Sequence, residues 1–192
     1  MAGFKALKGQ GHWPTLLAAF LYFDFSFMVW TMLGPLSTEI SEALAIGGFI
    51  MSASQKATLL SIPILAGALL RIVLGFGVDK FGAKKTALVS QAIVIGVLFY
   101  AYFRGAGITY NELLVVAMGL GFAGASFAVA LPQAGQWYPP KLQGVVLGIA
   151  GAGNIGVVID FLFAPKIAEL WGWESVFLVG AVLSTIILSF RT

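Results

Sequence analysis

Polar residues in this chain collect in short clusters, and the apolar stretches between them reach membrane-spanning length. A hydrocarbon core of ~30 Å needs ~20 residues of helix. Six stretches meet or approach that length, at residues 14–36, 55–78, 86–103, 113–137, 142–170 and 176–190. The pattern predicts an all-α membrane protein, a single bundle of six transmembrane helices over residues 1–192. The third and sixth stretches are short and plain and read as scaffold. The second, fourth and fifth carry Pro63, Pro132 and Pro165, each expected to kink or end its helix.

Composition excludes the soluble alternatives. The chain is 59% hydrophobic and 10% charged, with a mean hydropathy of +0.96. Soluble domains carry ~25% charged residues. There is no cysteine, hence no disulfide framework or thiolate metal site. His12 is the single histidine and reads as an interfacial residue before the first span. With no Ser/His/Asp set, metal cluster or phosphate-cradling loop, the sequence argues against an enzyme. It calls for no cofactor and no metal.

Basic residues fix an orientation. Lys5, Lys8, Lys80, Lys84, Lys85, Lys141 and Arg191 fall on one side, and only Lys56, Arg104 and Lys166 on the other. Glu39, Glu42, Glu112, Glu169 and Glu174 all fall on the lysine-poor side. Both termini are therefore expected in the cytoplasm. The first span is too long for the apolar core of a cleaved signal and lacks a small-residue cleavage site, so it reads as a signal anchor. Topology accounts for the net charge of +3, so no nucleic-acid partner is implied.

Against this apolar background Arg71 stands out. It lies eight residues before the polar cluster that begins at Asp79. Eight residues of helix rise ~12 Å, which puts the arginine near the bilayer midplane. A fixed positive charge there costs ~3 kcal/mol or more to insert, so it calls for a cavity, a counter-ion or an anionic substrate. In the fifth span Gly144, Gly148, Ala152 and Gly156 recur every four residues, a stripe read as helix packing. Asn154 projects about 140° from that stripe, either toward a central cavity or into an interhelical hydrogen bond.

The loop after the second span reads Gly75, Asp79, Lys80, Gly82, Lys84, Lys85. It resembles, residue for residue, the signature of the major facilitator superfamily. Glycines at that spacing allow two helices to meet at a tight turn, and Asp79 is placed to cap a neighbouring helix. Such a cluster can latch and release between conformations. Three further runs resemble the nitrate/nitrite porters of that superfamily: residues 148–156, residues 121–127 and residues 27–30. The resemblance makes Arg71 a substrate arginine, Asn154 a substrate-contacting amide and Phe127 an aromatic wall. It implies nitrate or nitrite as substrate, the prokaryotic plasma membrane as location, and alternating access as mechanism. It also implies that this bundle is the N-terminal half. A C-terminal six-helix half, or a second copy, would complete it.

The chemistry agrees without the family. Nitrate is planar, singly charged and rich in acceptors. A planar guanidinium offers it paired donors, and an aromatic face can stack on it. Small carboxylates satisfy the same rules. Two acids remain. Asp24 lies near mid-depth in the first span, either as a structural partner of Arg71 or as a proton carrier that frees Arg71 for an anion. Asp160 lies about 120° round the helix from Asn154 and reads as a packing or local hydrogen-bonding residue.

The topology generates a direct expectation. Single cysteines placed at positions 5 or 191 should resist an impermeant reagent from outside, whereas one at position 42 should react. External labelling at either terminus would overturn the orientation.

Overall fold

A computed structural model describes Leu7 and residues 9–189 of the chain. Lys5, Lys8 and Arg191, and the last residue of the sixth stretch, lie outside the described residues. The described chain is all helical, with five helices of membrane-spanning length and a shorter apolar sixth. The elements are α1 (Trp13–Thr31), α2 (Ser37–Ile46), α3 (Ala53–Phe81), α4 (Ala83–Arg104), α5 (Tyr110–Gly124), α6 (Phe127–Gly135), α7 (Gln143–Gly151), α8 (Ile155–Trp171) and α9 (Glu174–Ser189). α5 with α6 makes the fourth span, and α7 with α8 the fifth.

Two spans begin with reciprocal caps on the lysine-poor side. Ser52 and Gln55 start α3, and Thr109 and Glu112 start α5, each satisfying two end amides. Glu112 also meets Arg104 at 2.8 Å and accepts from the Tyr100 hydroxyl at 2.7 Å, tying the third span to the fourth. On the other side α3 turns into α4 at Gly82 alone, whose φ of 85° is open to glycine at little cost.

The structure sharpens three expectations. The first stretch is one helix followed by a turn, and the acidic segment beyond it forms α2, because Glu39 and Glu42 sit on a short amphipathic helix. Pro63, Pro132 and Pro165 lie inside α3, α6 and α8, so of the two outcomes expected, a kink or an end, none of the three ends its helix. The breaks fall instead at residues 125–126 and 152–154, within the glycine- and alanine-rich runs. The third concerns the small-residue stripe, which packs within this bundle at one position. Gly144 and Gly148 face open space, because α7 buries Val146 and Ala150 on its opposite side. Only Gly156 packs, pressed against the main chain of Asp24 on α1.

That asymmetry gives a paired test. A methyl at Gly156 would overlap the Asp24 carbonyl, and overpacking of this kind costs ~1–3 kcal/mol. Gly144→Ala meets nothing and should stabilise by a few tenths of a kcal/mol through helix propensity. Thermal unfolding of the two variants in detergent should therefore move in opposite directions. Equal shifts would mean that α1 does not seat on Gly156.

Candidate functional site

The site begins with the break in the fourth span. In an unbroken helix the Gly124 carbonyl would accept from the Ala128 amide, and the Phe122 carbonyl from the Ser126 amide. Here Ala128 bonds to Ala125 at 3.0 Å and Ser126 to Ala123 at 3.1 Å, one residue short of the helical pattern. Two carbonyls are thereby released in a buried region and must find other donors. The Ser90 hydroxyl donates to Phe122 at 3.3 Å, and Arg71 Nε donates to Gly124 at 3.3 Å.

Arg71 lies ten residues before the end of α3, about 15 Å from it. Its guanidinium carbon is 5.6 Å from the Trp30 ring centre and 5.7 Å from that of Phe127. The two rings supply electron-rich faces that stabilise a cation shielded from water. Trp30 is itself pinned, since its indole N–H donates to the Pro63 carbonyl at 2.8 Å. Small residues make room for it: a methyl at Gly124 would overlap the indole, and one at Gly67 would come within 3.2 Å. Phe23 and Phe27 extend the aromatic wall, with Phe23 5.6 Å from Phe127. Among the described residues no carboxylate pairs with Arg71, and its terminal nitrogens donate to none of them. The paired face of the fork is left for a planar acceptor.

Beside Trp30 lies a cavity of about 270 Å³, bounded by Leu60, Pro63, Ile64 and Phe161. It adjoins the stretch of α3 between Arg71 and the lysine-poor end.

Of the residues picked from sequence, Arg71 and Phe127 come together. Asn154 sits at the break of the fifth span, exposed, with its amide bonded to no described residue. Asp24 does not pair with Arg71. It is buried against Gly153 and Gly156, whereas Arg71 meets the same helix at Trp30. Six residues separate Asp24 from Trp30, which is ~9 Å along α1 and about 120° around it. Asp160 is buried too, and the Thr31 hydroxyl lies 3.1 Å from its carboxyl. In the loop, the residue that starts α4 is Gly82, which has no side chain to cap the helix, and Asp79 lies three residues before it at the end of α3. Gly75 faces open space; the close approach is made by Gly77, where an added methyl would lie 3.0 Å from Thr86.

Comparison with known proteins decides the family. Residues 15–191 match the Major Facilitator Superfamily. The chain belongs to that superfamily. It is 33% identical over 149 residues to the "Nitrite extrusion protein" of Bacillus subtilis, covering 78% of this chain and 36% of that protein. It is 32% identical over 165 residues to the "Probable nitrate/nitrite transporter NarK2" of Mycobacterium tuberculosis, covering 85% and 40%. The "Probable nitrate transporter NarT" of Staphylococcus carnosus is 33% identical over 149 residues, covering 78% and 36%. The chain thus spans well under half the length of these curated relatives. As a facilitator-superfamily chain with five membrane-length helices it is an integral membrane protein.

Sequence reasoning did not single out Trp30 or the Gly124 carbonyl. Trp30 was legible only as part of the 27–30 run. Its contact with Arg71 depends on how α1 and α3 cross, which periodicity does not report. The released carbonyl depends on a break that no proline marks.

Proposed function

We propose that this chain is the N-terminal six-helix half of a nitrate/nitrite porter. One observation carries the reading: a mid-depth guanidinium held by two aromatic faces and one carbonyl, with its paired donors unspent. Arg71 would grip two coplanar oxygens of the anion, and Phe127 and Trp30 would flank it. Asn154 would offer an amide donor from the break of the fifth span. The names of the relatives support the substrate class.

A partner half is part of the proposal. The second and fifth spans are the least covered, with 22% and 28% of their apolar windows buried against 61% for the fourth. A C-terminal six-helix half fits there, as would a second parallel copy of this chain, since the two halves of this fold relate by an axis along the membrane normal. Substrate would sit at the midplane while the halves rock around it. The 75–85 loop would serve as the latch on the cytoplasmic face of a prokaryotic plasma membrane, with both termini on that face. Transport of another small anion or of a drug by the same half is one competing reading, and a non-transporting membrane subunit or remnant is the other.

Asp24 is proposed as the proton-coupling residue. Its carboxyl is buried against the Gly156 backbone on the broken fifth span. Competition for Arg71 would require α1 to turn by about 120°, so coupling is proposed to run through the α1–α8 seam. A proton on Asp24 removes a negative charge from a region that must admit an anion, so the two ligands bind cooperatively.

Proteoliposomes test the set. Nitrate uptake is expected when this chain is reconstituted with its matching C-terminal half, and not from a single copy of this chain. In that complex Arg71→Lys should lose ~2 kcal/mol of anion affinity, roughly thirtyfold, because lysine keeps the charge but not the fork. Nitrate should bind more tightly at acidic than at neutral pH, and Asp24→Asn should abolish that dependence while keeping binding. Full affinity in Arg71→Lys would refute the guanidinium argument, and affinity independent of pH would refute the role of Asp24.

A further inference from the structure

A second feature lies away from the anion site. At the lysine-rich end of the bundle, α3 and α4 enclose a groove of about 590 Å³. Its wall is apolar: Val73, Phe76, Phe81 and Val89 line it and are 58–71% exposed. Two charged residues line it, Lys80 and Lys85, one on each side of the Gly82 turn. Among the described residues no carboxylate lines it. Lys80 Nζ lies 5.4 Å from the Phe81 ring centre, which holds the ammonium against the apolar wall. Lys80 is nine residues from Arg71, ~14 Å along α3, so both lysines sit near the edge of a ~30 Å hydrocarbon core whose centre is Arg71. α4 begins beside them with no side-chain cap, which adds the positive end of its dipole.

We propose that this groove binds an anionic glycerophospholipid, with an acyl chain along Val73, Phe76 and Val89 and the phosphate between Lys80 and Lys85. The combination selects the ligand. A free phosphate would use the lysines and gain nothing from an apolar wall. A neutral lipid would use the wall and gain little from two ammonium groups. An anionic amphiphile at the membrane boundary uses both, and attraction to anionic headgroups is worth ~1 kcal/mol per basic residue near the surface. The proposal stands on the groove and not on the substrate; it requires that the proposed partner half cover other parts of α3 and leave this face open to lipid.

The purified full chain in mild detergent provides the test, with native mass spectrometry counting retained phosphatidylglycerol, phosphatidylcholine and inorganic phosphate. The expected result is one phosphatidylglycerol retained at least tenfold more tightly than phosphatidylcholine, with inorganic phosphate bound weakly or not at all. Lys80→Gln with Lys85→Gln should erase that preference. Val89→Trp, at a position 62% exposed, should fill the groove and lower retention of phosphatidylglycerol without loss of helical content by circular dichroism. Equal retention of the two lipids would overturn the proposal. So would phosphatidylglycerol retention unchanged in both variants, phosphate binding as tightly as the lipid, or a groove shielded from lipid by a second copy or by the C-terminal half.

Discussion

A guanidinium at the middle of a membrane helix is the constraint around which this bundle is organised. It cannot shed its charge, and the bundle gives it no carboxylate among the described residues. The structure answers with two aromatic faces and one main-chain carbonyl. Each part of that answer has its own requirement. The carbonyl is free only because the fourth span breaks. Trp30 fits only because Gly67 and Gly124 carry no side chain. The indole is held in place only because the Pro63 carbonyl accepts its N–H.

The same logic explains why the interruptions lie where they do. Prolines inside α3, α6 and α8 are absorbed by continuous helix. The breaks at residues 125–126 and 152–154 lie in runs of small residues, where side chains of α1 press against the fourth span and its backbone lies against the fifth. The first span is the axis of the arrangement. It meets the fourth span through Trp30 and the fifth through Asp24 and Thr31.

Much of this was legible in the sequence. The number and approximate limits of the spans follow from hydropathy, because lipid exposure makes apolar length a direct signal. Arg71 announced itself by its cost, and the glycine runs marked the places that later proved to be breaks. Other features were hidden for physical reasons. The helix at Ser37–Ile46 is short and amphipathic, so span counting passes over it. A four-residue spacing put Gly144 and Gly148 on a packing stripe, but spacing names a face without saying what covers it. The pairing of Asp24 with Arg71 assumed that equal depth means contact, and the 120° between Asp24 and Trp30 on one helix defeats it.

The central claim is that the Nε side of Arg71 is spent on Gly124 while its terminal nitrogens are kept for an anion. Side-chain NMR of the chain labelled with ¹⁵N-arginine reads those nitrogens separately. Titration with nitrate should shift the Nη resonances of Arg71, leave its Nε nearly unmoved, and leave the signals of Arg104, already paired with Glu112, unchanged. A response confined to Arg104 or Arg191, or an Arg71 Nε that shifts as much as its Nη, would contradict the account.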